Sequence, residues 1–222
     1  MSALAAQQTV TLRITEIFLS LQGEANTVGL PTVFVRLTGC PLRCNYCDSE
    51  YAFTGGRIMS TDEIVAEVEK HGVPRVTVTG GEPLAQPNVH ELMRQLCDKQ
   101  MSVSLETSGA LDIAQVDERV VTVLDLKTPG SSESHRNLWS NVAHLRSHDQ
   151  VKFVICSRED YDWARFKCDE YDLYGRVADA LFSPSFGQVE PVDLADWIVA
   201  DRLPVRMQVQ LHKLLWGDEP GR

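Results

Sequence analysis

The sequence predicts a single α/β domain built on a parallel sheet. Two observations carry that expectation. β-rich runs alternate along the chain with capped, amphipathic helical runs, the signature of parallel strands joined by crossover helices. The length, 222 residues, suffices for one domain or at most two small ones at roughly 150 residues per domain. Hydrophobic residues make up 43% and charged residues 23%, a mix that builds a packed core and excludes disordered, collagen-like and membrane-spanning chains.

The elements follow in order. Extended runs come first, at Thr11 to Leu19 and Thr32 to Leu37, where Val33, Phe34 and Val35 read as a buried strand. A cysteine-rich segment follows directly. Ser60 with Glu63 three residues on is a capping box that opens a helix through Ile64, Val65 and Val68 to Gly72. Arg75 to Thr79 is a strand, and Asn88 with Glu91 repeats the cap signal for a helix to about Lys99. Strands are expected at Ser102 to Glu106, Val120 to Asp125 and Gln150 to Cys156, then a helix from about Arg158 to Tyr171. A strand at Ala178 to Ser183, a helix near Val192 to Ala200 and a strand at Arg206 to Gln210 complete the pattern. Thr128 to Asn137, rich in Gly, Ser and Pro, is a loop inside the sheet and too short for a domain linker. With no internal repeat or low-complexity stretch, residues 1–222 are expected to form one domain.

Charge narrows the partners. The 21 Lys and Arg against 31 Asp and Glu give a net charge of -10, the wrong sign for affinity won by neutralising phosphates, so no nucleic-acid partner is expected. No apolar run approaches the ~20 residues needed to cross a bilayer, so no membrane partner is expected. Met1 to Val10 has neither the charged n-region nor the apolar h-region of a signal peptide, which makes the cytoplasm the expected location.

Cysteine placement is the most informative signal. Cys40, Cys44 and Cys47 are clustered, while Cys97, Cys156 and Cys168 are scattered. Without a secretory signal, such clustering argues for a metal or redox site before disulfides. Cys97 follows Leu92, Met93 and Leu96 at helical spacing and reads as a small core hydrophobe, as do the other two scattered thiols. The segment Gly39-Cys40-Pro41-Leu42-Arg43-Cys44-Asn45-Tyr46-Cys47-Asp48 spaces its thiols as C-x3-C-x2-C on a short loop. A structural zinc wants four ligands, and no fourth Cys or His stands at a usual distance. A 4Fe–4S cluster held by three cysteines leaves one iron open to a small molecule.

This spacing, with Tyr46 as the aromatic before the last cysteine, resembles the fingerprint of the radical S-adenosylmethionine (SAM) superfamily. Thr79-Gly80-Gly81-Glu82-Pro83, at the end of a predicted strand, resembles that superfamily's GGEP segment, where the backbone and the Glu region receive the amino group of SAM. On its own Gly-Gly-Glu-Pro is also a tight turn. At the C-terminal end of a parallel strand it stands where α/β folds place their ligands. The resemblance implies a truncated, open (β/α) partial TIM barrel, with Tyr46, Gly81 and Glu82 at the cofactor.

Further motifs narrow the likeness. Leu21-Gln22-Gly23-Glu24, Arg36 at the end of the next strand, and Cys47-Asp48-Ser49 together resemble the 7-carboxy-7-deazaguanine synthase family, from about Glu16 to His212. The resemblance implies that Leu21, Gln22, Gly23, Arg36 and Thr79 contact a pterin, and that Ser49 ligates Mg2+. Ser108, Lys127 and Ser183 follow strands at positions that in relatives line the ribose and adenine of SAM, although polar residues at strand ends can equally be caps and turns. His212 belongs to a tail, Gln210-Leu211-His212-Lys213, that resembles one closing the site. Two departures stand out: Ala25 where the family usually has Gly, and Ser49 where it commonly has Thr. The implied reaction is the ring contraction of 6-carboxy-5,6,7,8-tetrahydropterin to 7-carboxy-7-deazaguanine with loss of ammonia, in the 7-deazapurine and queuosine pathway. A flavodoxin-type reductant and a homodimer accompany it. Two readings stay open beside it: a glycyl-radical-enzyme activase, which would not need Leu21-Gln22-Gly23, and a small iron–sulfur electron carrier, which would normally close its cluster with a fourth Cys.

Overall fold

Val76-Thr77-Val78-Thr79, Val103-Ser104-Leu105-Glu106 and Val151-Lys152-Phe153 alternate with period two, so each run as a strand sends apolar side chains to one face and polar ones to the other. The computed structural model describes residues 9–217, 219 and 221. Its elements are β1 (Thr11–Leu21), β2 (Pro31–Leu37), β3 (Arg57–Ser60), α1 (Thr61–Glu69), β4 (Arg75–Gly80), α2 (Val89–Asp98), β5 (Ser102–Thr107) and β6 (Val121–Asp125). Then come β7 (Gln150–Ile155), α3 (Arg158–Glu170), the one-turn α4 (Leu173–Arg176), β8 (Asp179–Pro184), α5 (Pro191–Asp201), β9 (Arg206–Met207) and α6 (Leu211–Trp216). Among the described residues the strands form one sheet in the order β3-β1-β2-β4-β5-β6-β7-β8-β9. β1 runs antiparallel to β2 and β3, and every pairing from β2 to β9 is parallel. The edge strands β3 and β9 do not pair with each other, so the sheet is an open, truncated (β/α) barrel.

The two faces divide the labour. Val33, Val35, Val76, Val78, Leu105, Phe153 and Phe182 point to the helical side and join Leu92, Met93 and Leu96 of α2 in one core. Each fully buried side chain of this size contributes roughly 1.5–3 kcal/mol. The opposite residues, among them Arg36, Thr79, Glu106, Asp125, Lys152 and Ser183, line a cavity at the C-terminal ends of the strands.

A bulge in β1 shapes that cavity. The register against β2 shifts between Ile14 and Glu16. Before the shift Leu12 and Ile14 face the core; after it Ile17 packs there, and Glu16 and Phe18 turn to the cavity side opposite Arg36 and Phe34. An extra residue in one strand inverts which side chains face in, and the fold uses it to exchange core positions for site positions.

Several local expectations are corrected. Ser60 makes the full capping box with Glu63, but Asn88 makes no cap, because its amide donates to the Thr11 carbonyl at 3.0 Å while Glu91 pairs with Arg94. β3 was not expected, nor was α6; the last parallel strand is only Arg206–Met207, and the segment after it turns into α6. The loop from Thr128 to Asn137 contains two short 3-10 turns, Pro129–Ser131 and Ser134–Arg136. No helix among the described residues is long and apolar enough to cross a membrane.

Candidate active site

β2 delivers the chain directly into the cysteine loop, which is pinned by backbone hydrogen bonds. Gly39 N–H donates to Ala52 at 2.8 Å, and Glu82 N–H donates to Gly39 at 2.8 Å, so the loop is sewn to the end of β4. Cys40, Cys44 and Cys47 are all free and partly exposed to the same cavity, of about 710 Å3. Burial pushes each thiol up, Cys44 to about 11. They therefore carry their protons at neutral pH until a metal displaces them.

Gly81 is forced by space. A Cβ there would run into the Gly39 carbonyl and stand 2.8 Å from the Cys40 Cβ. The close approach of strand end and cysteine loop needs a residue with no side chain. Glu82 departs from its expected role, since its side chain does not line the cavity. It is 0% exposed and accepts from Leu84 N–H (3.0 Å), Thr107 Oγ1 (2.8 Å), Ser108 N–H (2.7 Å) and Ser108 Oγ. Its carboxylate ties the end of β4 to the end of β5, and so places Gly81 and Ser108.

The cavity floor is a buried ionic network. Lys152 Nζ lies 2.6 Å from Glu24 Oε2 and 3.9 Å from Asp125 Oδ2, and Lys127 Nζ lies 3.0 Å from Asp125 Oδ2. Glu106 accepts from Gln22 Nε2 at 3.2 Å and from Thr79 Oγ1 at 3.0 Å. Burial, with Glu24 beside it, raises the Glu106 carboxyl. Burial works against charge on Lys127 and Lys152, but their acidic neighbours outweigh it and raise both amines. Lys127 also stands over the Tyr46 ring at 5.6 Å. Among the described residues Glu24 Oε1 and Asp125 Oδ1 have no hydrogen-bond partner, nor do the hydroxyls of Tyr46 and Ser183. Buried polar atoms left unpaired are costly unless something completes them.

Arg36 is held by an ion pair at the mouth of its strand. Its Nε donates to Glu16 Oε1 at 2.7 Å, an oxygen that also accepts from Tyr51 Oη at 2.8 Å, and its guanidinium lies beside Phe18 and Tyr51. It also lines the cavity.

The C-terminal helix α6 covers the near wall. Leu211 N–H donates to Gly23 at 3.0 Å, and His212 stacks so closely on Gly23 that any Cβ there would strike its ring. Burial lowers the His212 pKa. Gln210 Nε2 and Lys213 Nζ reach Asp48 Oδ2 at 3.2 and 3.6 Å, and Ser49 Oγ donates to Asp48 Oδ1 at 2.8 Å. Desolvation raises Asp48, but the Ser49 hydrogen bond and Lys213 overcome it and hold the carboxyl at about 2.

Apart from Glu82, every residue expected at the site lines this one cavity: Leu21, Gln22, Gly23, Arg36, Cys40, Cys44, Tyr46, Cys47, Ser49, Thr79, Gly81, Ser108, Lys127, Ser183 and His212. Sequence reasoning missed Lys152, Asp48 and the Glu16–Tyr51 pair. Lys152 carried a signal: a Lys inside the apolar run Val151 to Ile155 needs a buried partner.

Residues 34–127 match the Radical SAM superfamily. The chain is 43% identical to the 7-carboxy-7-deazaguanine synthase of Koribacter versatilis, covering 94% of this chain and 98% of that one. It is also 43% identical to the enzyme of that name from Chlorobaculum tepidum, covering 94% and 96%. The chain belongs to the 7-carboxy-7-deazaguanine synthase family. The fold agrees: QueE from Escherichia coli superposes with a TM-score of 0.70 at 21% identity over 91% of this chain and 95% of that one. A Streptococcus suis protein, SuiB, solved bound to SAM, gives a TM-score of 0.54 at 14% identity over 78% of this chain and 45% of that one.

The family uses SAM and a 4Fe–4S cluster, and the residues present fit both. Among the described residues no three His, Cys, Asp or Glu side chains converge on a point that would hold a single ion. Thiolates that each bind a different iron of a cluster need no such convergence. For SAM, the Gly81 cradle, the protonated Lys127 and the Ser183 hydroxyl, without a partner among the described residues, supply close backbone approach and hydrogen-bonding capacity in the cavity.

Proposed function

We propose that this chain is a carbon–nitrogen lyase that contracts 6-carboxy-5,6,7,8-tetrahydropterin to 7-carboxy-7-deazaguanine in 7-deazapurine and queuosine biosynthesis. The observation that carries the reading is the meeting, in one cavity, of the three-cysteine loop, the Gly81 strand end and Arg36.

When bound, SAM on the cluster supplies a carbon-centred radical. The chain's own residues select and hold what reacts. Arg36, with Nε committed to Glu16, offers its terminal amino groups to the substrate carboxylate as a charge-assisted fork. Glu24 Oε1 and Asp125 Oδ1 are acceptors for ring N–H donors, while their other oxygens lie 2.6 Å from Lys152 Nζ and 3.0 Å from Lys127 Nζ. Thr79 and Gln22 hold Glu106 in place. Helix α6, through His212 on Gly23, restricts water at the pterin side. The conversion loses ammonia and nothing else, so it is redox-neutral overall and positioning is the main task of the protein.

The finer assignments belong to the same proposal. Residues 1–222 act as a single radical SAM domain. Ser49 is a ligand of Mg2+, whose remaining sites go to water and to substrate oxygens. A flavodoxin-type carrier delivers the electron, the chain works as a homodimer, and the setting is cytoplasmic.

Anaerobic incubation of reconstituted protein with reductant, SAM, Mg2+ and the carboxy-pterin tests the whole. A product lighter than the substrate by one ammonia is expected. Formation of 5′-deoxyadenosine that ignores the pterin would indicate an activase, and none at all an electron carrier.

A further inference from the structure

Asp160 is a buried carboxylate, 1% exposed, that does not line the cavity. It sits in the first turn of α3, where its own N–H donates to the cap Ser157 Oγ at 3.3 Å and a negative charge suits the helix end. Its acceptor oxygens are spent on other segments. Gly130 N–H donates to Oδ1 at 2.9 Å, Cys156 N–H donates to Oδ2 at 3.0 Å, and Thr128 Oγ1 lies 3.0 Å from Oδ2. Thus one carboxylate joins the end of β7 to the turn after β6. The fit is tight: a Cβ on Gly130 would collide with Oδ2 and stand 2.8 Å from the Cys156 Cβ.

That turn grips the cysteine loop from outside. Asn45, between Cys44 and Cys47, donates its backbone N–H to Ser131 at 3.3 Å and its amide to Ser132 Oγ at 2.8 Å and Gly130 at 3.4 Å. Arg43 N–H donates to Glu133 Oε1 at 2.6 Å, and Glu133 N–H in turn to Ser131 Oγ at 3.0 Å. The buried Ser131 Oγ donates to Thr128 at 2.6 Å, which closes the path back to Asp160. On this side the loop has no regular element of its own to hold it.

We infer that Asp160 is a positioning residue for the iron–sulfur loop, acting through the Thr128–Glu133 turn on Asn45 and Arg43. It touches neither cluster nor substrate. Without it the turn loses its anchor, the grip on Asn45 slackens, and the three thiolates are held less firmly. This rests on the reading of Cys40, Cys44 and Cys47 as the cluster ligands.

The test is the rate at which a ferrous chelator strips iron from the anaerobically reconstituted full chain, followed by the cluster's visible absorbance. Asp160→Ala is expected to release iron about tenfold faster than the parent, the scale of one or two lost hydrogen bonds. Asp160→Asn, which keeps one oxygen for Gly130, is expected to fall between them. Asn45→Ala should also accelerate release, and Asp160→Ala combined with Asn45→Ala should be no faster than the faster single variant, because the two act along one path. Ser132→Ala, which cuts the same path on the surface, gives the same test if Asp160→Ala does not fold. Multiplicative rates in the double variant, or parent-like release from folded Asp160→Ala, would overturn the inference. So would equal acceleration in a core variant such as Leu92→Ala chosen for the same loss of Tm. Cys44→Ala separates the underlying reading: a cluster retained there removes the ligand assignment, whereas a cluster lost there with Asp160→Ala unchanged removes the positioning role alone.

Discussion

Replacing Arg36 by Lys probes substrate recognition most directly. The geometry shapes the expectation: Nε is bound to Glu16 at 2.7 Å and the same oxygen holds Tyr51, so the guanidinium is anchored through Nε and, among the described residues, its terminal nitrogens remain for a ligand. Desolvation opposes its charge, but Tyr51 and Glu16 outweigh this and raise its pKa, so it stays protonated throughout the working range. A Lys can keep the ion pair with Glu16 or reach the substrate, and it cannot present two parallel donors. A charge-assisted hydrogen bond contributes about 1.5–3 kcal/mol. At about 1.4 kcal/mol per tenfold, kcat/KM for the pterin should fall roughly ten- to a hundredfold. The assay is steady-state turnover under anaerobic conditions, with SAM affinity measured separately by calorimetry. A tetrahydropterin lacking the carboxylate supplies the control, because parent and variant should handle it equally poorly. Equal losses of SAM and pterin binding, or the same penalty on the decarboxylated analogue, would refute substrate recognition and leave Arg36 as a partner of Glu16 only.

Other expectations are briefer. Cys40→Ala, Cys44→Ala and Cys47→Ala should each abolish cluster absorbance and activity, whereas Cys97→Ala, buried at 8% exposure in the α2 core, should cost only about 1 kcal/mol of packing in urea denaturation; activity in any of the first three would contradict the cluster assignment. Ser49→Ala should keep the cluster but weaken stimulation by Mg2+, and stimulation equal to the parent's would place the metal elsewhere. Burial and Glu24 raise the Glu106 carboxyl above its ordinary 4.5. Its contribution to stability is therefore full below that value and is lost as pH rises through the folded pKa, so the stability of Glu106→Gln relative to the parent should increase with pH across that window. A pH-independent difference between the two would show that the carboxyl is not raised.

What could be read beforehand follows the distance between partners. The capping box joins residues three positions apart, Ser60 and Glu63, and the sequence sufficed to find it. The alternation in Val76 to Thr79 and in Val103 to Glu106 announced two-faced strands, and the cysteine spacing announced the loop. The pairings inside the cavity join Gln22 to Glu106 across 84 positions and Lys152 to Glu24 across 128, and no local pattern encodes them. Asn88 failed as a cap for the same reason, since the carbonyl of Thr11, 77 positions away, competes for its amide. Glu82 shows the limit of a motif. The segment marked the right strand end, yet the four donors that turn its carboxylate from the cavity come partly from β5.

Ala25 joins the two scales. The family resemblance marks it as a departure from an expected glycine and says nothing of why the position matters. In the fold it has a φ of 60°, the left-handed region, which costs a residue with a Cβ roughly 1–2 kcal/mol. Two compensations are visible. Gln208 donates to its carbonyl at 2.7 Å and accepts from its N–H at 2.8 Å, which locks the backbone from 183 positions away. Its methyl group, 2% exposed, packs with Val123 and Leu181 inside the barrel, a gain of about 0.8 kcal/mol that glycine would forgo. The strain and its offsets are of similar size, so the turn that carries Gln22, Gly23 and Glu24 into the cavity tolerates the alanine. The same balance explains why the departure leaves the expected site residues in place.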